Sequence, residues 1–170
     1  MKSSTGHNIK AREEPKDVFL TPIKLAQKAI SMVDYIDGEI WFDPFRGTGN
    51  YYNNFPCCED FRVYCEITEG LDFFEPYIDM DGSGVICSNP PYSCLDKVFE
   101  HSIACNPRVI NYLIGINNLT ARRMEMMEKG GYGLTKLHMC KVWKWYGMSL
   151  IVQFEKDKES IMSFDRVVWR

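Results

Sequence analysis

Three patterns that mark large protein classes are absent from this chain of 170 residues. It has no apolar run approaching the roughly 20 residues that cross a bilayer. Its polar start, MKSSTGHNIKAREEPKD, lacks the apolar stretch of a secretory signal. A phosphate-cradling loop of the GxxxxGK(S/T) type is also missing. We therefore expect an intracellular protein (cytoplasm, nucleoid or nucleus) that makes no membrane contact and binds no nucleotide through a P-loop.

The seven cysteines form no CxxC pair, so the ligand spacing of a structural zinc site is lacking. In a chain without a secretion signal, cysteines are expected to be reduced thiols. Adjacent Cys57 and Cys58, or His138 with Cys140, remain open as loose metal candidates. The sequence as a whole predicts no metal.

Strong net charge is also lacking, since the chain carries only −3, which argues against bulk attraction to nucleic acid. The charges are unevenly distributed, however. Residues 34–81 hold twelve acids against two arginines, whereas residues 106–146 hold seven cations against two acids. One part of the surface could therefore meet a polyanion, and an ordinary solvated charged surface explains the pattern equally well.

Apolar strand patterns alternate with helical ones along most of the chain. A helix is predicted after Thr21-Pro22, because threonine is a common N-cap and proline suits the first turn. Short strands at 39–42, 61–66, 85–87 and 109–114 are followed by a strand pair at 134–142 and 148–154. This order predicts an α/β fold with a mostly parallel sheet that ends in an antiparallel hairpin.

The predicted division of the chain is a basic tail at 1–16, one domain at 17–154 and a charged tail at 155–170. Within the domain, segments 43–49 and 66–74 each follow a predicted strand. Ligands of such sheets bind at the carboxyl ends of the strands. These two loops, with the segment after the third strand, are therefore the places to look for chemistry.

The first of these loops, Asp43-Pro-Phe-Arg-Gly-Thr-Gly49, would let a ligand approach the backbone closely at its glycines. Two glycines alone also fit an ordinary strand-to-helix turn. Glu66 ends the next strand and could accept hydrogen bonds from both hydroxyls of a ribose. Asp43 would repel a pyrophosphate but could accept from an ammonium group. An adenosine attached to an amino acid satisfies both carboxylates, so S-adenosylmethionine fits the site, with S-adenosylhomocysteine as the product.

The third segment, Asn89-Pro90-Pro91-Tyr92, ends a strand on two rigid residues. A planar NH2 group is a poor nucleophile because its lone pair is delocalised. The side-chain oxygen of Asn89 and the carbonyl of Pro90 could accept its hydrogens and direct the lone pair at a methyl group. Tyr92 offers a face on which a planar base can stack. A rigid turn with an exposed tyrosine is the alternative interpretation.

With these segments in this order, residues 17–154 resemble the Rossmann-like S-adenosylmethionine-dependent amino-methyltransferases, most closely their DNA adenine-N6 branch. The matching segments are Phe19-Leu-Thr-Pro22, Asp43 to Gly49, Cys65-Glu66-Ile67, Gly70 to Phe74 and Asn89 to Tyr92. The resemblance implies a three-layer sandwich with these cofactor-binding residues: Thr21, Pro22, Asp43, Pro44, Phe45, Gly47, Gly49, Glu66, Ile67, Asp72, Phe73 and Asn89. It implies that Asn89, Pro90, Pro91 and Tyr92 are catalytic and that Asp72 contacts the adenine. Phe45 and Phe73 could equally belong to the core.

The chain departs from that family because it has no obvious target-recognition region. Recognition is left to the short segments GINNLTARR at 115–123 and WKWYGM at 143–148, where cations and aromatics interleave. The predicted nucleic-acid-binding residues are Tyr92, Arg122, Arg123, Lys141, Trp143, Lys144 and Trp145. The tryptophans could also be hydrophobic core. So compact a chain is expected to need a homodimer partner, a second recognition subunit or an already opened substrate.

The function expected from this sequence is methyl transfer to the N6 amine of adenine in DNA. The same chemistry on adenine in RNA or on a protein glutamine amide stays open, because each presents a planar NH2 group. Transfer to N4 of cytosine also stays open. A non-catalytic subunit that binds the cofactor or nucleic acid is the alternative from another class.

Overall fold

The computed structural model describes residues 20–75, 78–142, 145 and 147–167. Its strands are β1 (Trp41–Asp43), β2 (Arg62–Tyr64), β3 (Val85–Ser88), β4 (Val109–Gly115), β5 (Tyr132–Cys140) and β6 (Ser149–Lys156). Its α-helices are α1 (Ile23–Ser31), α2 (Leu95–Ala104) and α3 (Ala121–Lys129). The predicted basic tail at 1–16 lies outside the described residues.

The six strands form one sheet in the order β2-β1-β3-β4-β6-β5. The first four of these run parallel, and β6 lies antiparallel between β4 and β5. The predicted α/β fold, with a mostly parallel sheet and a final hairpin, is confirmed. Residues of β3 and of β4 up to Ile114 are buried on both faces of the sheet, which is why both strands are nearly continuous apolar runs.

Helices cover both faces of the sheet and make three layers. On one face, Ala26, Ala29 and Ile30 of α1 pack with Trp41 and Val85. The spacing of these three α1 residues places them on one side of a helix. The opposite face carries a second cluster that includes residues from α2 and α3. Its members include Phe42, Ile86, Leu95, Val98, Phe99, Ile110, Met124 and Met127. Neighbouring residues of a strand join opposite clusters, as the strand period of two requires.

The end of the chain extends the sheet further than the sequence pattern indicated. Strand β6 continues to Lys156, and the segment after it crosses β5 and α3. Ile161 N donates to Leu134 O at 2.8 Å, and Arg166 pairs with Glu125 at 2.8 Å. Single residues make these contacts, so they leave no periodic signal in the sequence. The division into domain and charged tail remains a prediction.

The amino edge of the parallel strands is held by a bidentate ion pair. Arg108 donates to both carboxylate oxygens of Glu39, at 2.7 and 2.6 Å, and also to the carbonyl of Asp34 at 2.9 Å. Glu39 is buried. Because Arg108 lies at this edge, it is separated from the loops where chemistry was predicted. The basic stretch at 106–146 therefore does not present all of its cations on one surface.

Candidate cofactor and catalytic site

The loops after β1 and β3 meet at the carboxyl edge of the sheet, because these two strands are parallel neighbours. A cavity lies between the glycine loop, the segment before α1 and the end of β3. Its walls are Leu20, Thr21, Phe45, Arg46, Gly47, Thr48, Asn50, Tyr51 and Asn89. The fold thus brings together four of the predicted cofactor-binding residues, Thr21, Phe45, Gly47 and Asn89. Sequence reasoning did not assign Arg46, Thr48, Asn50 or Tyr51.

Asp43 anchors the start of the glycine loop from beneath. Its side chain is fully buried and accepts hydrogen bonds from Ser88 Oγ at 2.6 Å and from the backbone N–H groups of Phe45 and Tyr52, each at 3.3 Å. Burial raises the pKa of Asp43 to about 7, although these hydrogen bonds and the charge of Arg46 oppose the shift. The carboxylate therefore ties β1, β3 and the loop together. Its predicted contact with a cofactor stays a prediction.

The two glycines of the loop adopt left-handed conformations, with φ of +50° at Gly47 and +82° at Gly49. A Cβ added at Gly49 would lie 2.8 Å from Asn53 Nδ2. Asn53 N also donates to Gly49 O at 2.9 Å. At Gly49 the requirement for glycine thus comes chiefly from the positive φ, and a Cβ would in addition displace the side chain of Asn53, in the 3-10 helix Tyr52–Asn54.

Glu66 connects the glycine loop to the turn after β2. One carboxylate oxygen accepts from Gly47 N at 2.8 Å, and the other accepts from Thr68 N at 3.1 Å and Thr68 Oγ1 at 2.7 Å. Partial burial acts to raise the pKa of Glu66, but the hydrogen bonds from Thr68 and Gly47 and the charge of Arg46 outweigh it and lower the pKa. Glu66 is thus held in its charged form, as an acceptor of ribose hydroxyls would have to be.

The two predicted contact residues after this turn, Asp72 and Phe73, lie in different surroundings. Asp72 accepts from Phe74 N at 3.0 Å and is partly exposed. Phe73 is buried in the core, where its ring lies 4.6 Å from His101 and 5.2 Å from Phe45, centroid to centroid. Of the two alternatives for the phenylalanines, Phe73 belongs to the core. Phe45 packs on Phe73 and also lines the cavity.

The Asn89–Tyr92 segment carries the chain from β3 into α2. Pro91 has an extended backbone (φ −65°, ψ 129°), and a short 3-10 helix, Tyr92–Cys94, begins immediately after it. Tyr92 is partly buried and packs against the cluster beneath α2. A Cβ added at Gly115, the last residue of β4, would lie 3.6 Å from the Tyr92 ring. Tyr92 is therefore positioned next to the end of β4, at the same edge as the cavity.

The described residues of the two segments predicted to contact nucleic acid lie at this same edge. Gly115 pairs with Ser149, and Ile116 N donates to Met148 O at 2.9 Å. Lys141 donates through Nζ to the carbonyls of Trp145 and Gly147, at 2.8 and 2.7 Å, and so holds the hairpin loop. Trp145 is partly buried and packs against the cluster beneath α1. Trp143 and Lys144 lie outside the described residues.

The two adjacent arginines of α3 differ in their surroundings. Arg123 has only 16% of its side chain exposed and donates to Asp96 Oδ1 at 2.7 Å and to Asn118 O at 2.8 Å. Arg122 is 65% exposed, and its one ion pair within the described chain spans 3.6 Å to Asp96. Arg123 therefore joins α3 to α2 and to the loop after β4. Arg122 alone of the two presents its charge to solvent.

The described part of the chain holds no group of three or more His, Cys, Asp or Glu side chains that could bind a metal ion. None of its helices is long and apolar enough to cross a membrane.

Similarity to known proteins was found at the level of structure. No protein-family model matches the chain, and no curated protein matches it by sequence. Precorrin-6y C5,15-methyltransferase from Geobacter metallireducens superposes with a TM-score of 0.55 and 13% identity, covering 81% of this chain and 89% of that one. Magnesium protoporphyrin IX methyltransferase from Synechocystis, solved with bound SAH, superposes with a TM-score of 0.53 and 11% identity, covering 90% and 94%.

A Streptococcus pneumoniae protein described as a proposed tRNA (m1A22) methyltransferase superposes with a TM-score of 0.59 and 12% identity, covering 86% of this chain and 74% of that one. The fold is that of the Rossmann-like methyltransferases. At these identities the likeness concerns the arrangement of strands and helices. The choice of substrate has to be argued from the side chains of this chain.

Proposed function

We propose that this protein transfers a methyl group from S-adenosylmethionine to the exocyclic N6 amine of adenine in DNA. The observation that carries the proposal is the position of Asn89 in the wall of the cavity formed by the glycine loop. An acceptor for an amine thereby lies beside the predicted site of a methyl donor. Tyr92 follows three residues later at the same edge, where a planar base could stack on it.

The residues around the cavity fit the parts of this cofactor. Glu66, held charged next to Gly47, suits the ribose hydroxyls, and partly exposed Asp72 suits the adenine. Thr21 and the glycine loop would enclose the amino-acid portion. When bound, the cofactor supplies an electrophilic methyl carbon on a positively charged sulfur.

The protein's part in the reaction is to orient the amine. Asn89 Oδ1 and Pro90 O would accept the two amine hydrogens, so that the nitrogen lone pair points at the methyl carbon. Transfer would form the N–C bond as the S–C bond of the cofactor breaks, and the amine would release one proton to solvent. Two prolines fix both acceptors, so positioning and electrostatic stabilisation supply the rate.

A labelled-methyl transfer assay on duplex DNA, single-stranded DNA, RNA and protein tests the proposal. We expect label to enter DNA and nucleoside analysis to identify N6-methyladenine. Label in RNA adenine, in N4 of cytosine or in a glutamine amide would keep the mechanism and replace the substrate. Cofactor binding without transfer to any substrate would support the non-catalytic alternative. Sizing the active species would show whether a homodimer or a second subunit is required.

The two arginines of α3 are expected to respond differently to substitution. Arg122→Ala should raise KM for DNA several-fold, because each exposed phosphate contact contributes modestly, and should leave stability unchanged. Arg123→Ala should lower the free energy of unfolding by about 1–3 kcal/mol, because Asp96 and Asn118 lose the hydrogen bonds that Arg123 donates to them. Urea unfolding and salt-dependent DNA titration measure the two effects. Equal losses of DNA affinity at unchanged stability would contradict this division of roles.

A further inference from the structure

Among the residues that the structure describes, Arg46 is the one charged side chain in the wall of the cavity described above. Asp43 lies buried beneath the loop, and Glu66 is directed to the backbone of Gly47 and to Thr68. The amino-acid arm of S-adenosylmethionine carries one carboxylate in addition to its ammonium group. A site that selects this arm needs a partner for that carboxylate, and a guanidinium is the side chain best suited to bind one.

The guanidinium of Arg46 is held in place without using all of its donors. Its central carbon lies 4.0 Å from the centroid of the Tyr64 ring, so a cation–π contact holds the group over that ring. Nη2 pairs with Glu69, whose side chain is 43% exposed. Nε is buried and has no hydrogen-bond partner among the described residues. A buried donor without a partner is unfavourable, so a turn of the guanidinium that brought Nε within reach of a ligand oxygen would be favoured by the hydrogen bond formed.

Glu69 competes with any carboxylate that enters the cavity. It binds both Arg46 and the Tyr64 hydroxyl, the latter at 3.1 Å. An ion pair as exposed as this one contributes little to stability. The pair can therefore loosen when a second carboxylate arrives, whereas the stacking on Tyr64 keeps the guanidinium near the loop.

We propose that Arg46 binds the carboxylate of the amino-acid arm of S-adenosylmethionine and so selects this cofactor over adenosines that lack the carboxylate. The inference rests on the proposed function, since it assigns a contact within the same cofactor site. It gives Arg46 a role in binding that neither the glycine spacing nor the strand pattern revealed.

The test is calorimetric titration with S-adenosylmethionine and with decarboxylated S-adenosylmethionine, which keeps the adenosine, the sulfonium and the amine. The unmodified chain should bind the complete cofactor at least tenfold more tightly. Arg46→Gln should lower affinity for the complete cofactor by about 10- to 100-fold, the range of a hydrogen bond to a charged group, and leave the decarboxylated compound within about threefold. Arg46→Lys should retain part of the preference.

Glu69→Gln distinguishes binding of the cofactor carboxylate by Arg46 from a purely structural role of the Arg46–Glu69 ion pair. If Arg46 binds the cofactor carboxylate, removing the competing charge should leave its affinity unchanged or increase it. If the pair only braces the loop, Glu69→Gln and Arg46→Gln should weaken both compounds alike, and the inference is then overturned while the proposed function stands. Failure of the unmodified chain to bind either compound would instead overturn the proposed function together with this contact.

Discussion

Asn89→Ala is expected to reduce kcat for methyl transfer by about 10²- to 10³-fold, the effect of removing one preorganised hydrogen-bonding group from a transition state. The affinity for S-adenosylhomocysteine should fall by less than tenfold. Asn89 lines the cavity at the end of β3, where the glycine loop also meets it. Its oxygen acts chiefly on the amine that is attacked, so the loss should appear in kcat more than in cofactor binding.

Gln27→Ala is the control, because Gln27 is an exposed amide side chain on α1, outside both the cavity wall and the segments predicted to contact nucleic acid. It should retain activity within about threefold, the scale of an ordinary surface change. Single-turnover measurements with saturating cofactor would separate chemistry from product release. An unchanged single-turnover rate in Asn89→Ala would falsify the proposed mechanism.

The contribution of Asp43 to the free energy of unfolding should fall as pH rises from about 4 to about 7. Its pKa is raised from 3.8 to about 7 by burial, so the folded chain retains a proton that the unfolded chain has already lost in this range. The stability that this raised pKa contributes is fully present below about pH 4. It is lost as pH rises through the pKa of Asp43 in the folded state. The full change is on the order of 4 kcal/mol.

Urea unfolding at several pH values between 4 and 8 measures this contribution, with Asp43→Asn as the control. Asn keeps one acceptor for Ser88 but cannot titrate. Asp43→Asn should be less stable than the unmodified chain at low pH. The NH2 group of the asparagine would replace Oδ2, the atom that accepts from Tyr52 N in the unmodified chain. The test is the difference in free energy of unfolding between the unmodified chain and Asp43→Asn. This difference should narrow or reverse as pH rises. Parallel profiles across the range would show that Asp43 does not titrate as described.

Much of the site could be anticipated because its features are local. Strand ends, glycines with positive φ and the rigid Asn-Pro-Pro-Tyr segment are properties of a few consecutive residues, and the parallel sheet then brings the strand ends together. The predicted helix after Thr21-Pro22 is also present, as α1, but its N-cap is Pro22 instead of the predicted Thr21, and no side chain caps it. Phe45 and Phe73 could not be separated in this way. Both are aromatic and both lie in loops, and only the packing of Phe73 on His101 assigns it to the core.

The cations show most clearly what local patterns leave open. In the sequence, Arg108, Arg122 and Arg123 belong to one basic stretch. In the structure, Arg108 pairs with Glu39 at the amino edge and Arg123 with Asp96 between two helices, while Arg122 faces solvent. The acids that neutralise the first two are 69 and 27 residues away along the chain. No short window of sequence contains both members of either ion pair.

The sequence by itself determined the α/β class, the order of strands and helices and the loops that follow the strands, since these depend on short-range periodicity and on the backbone preferences of glycine and proline. Only the tertiary structure decided which charged side chains are buried, which are paired and which face the cavity. It placed Asp43 beneath the loop against Ser88 and Arg46 in the cavity wall beside Glu69. Burial and pairing depend on residues distant in sequence that the sheet brings together, and they set the pKa and the availability of each group.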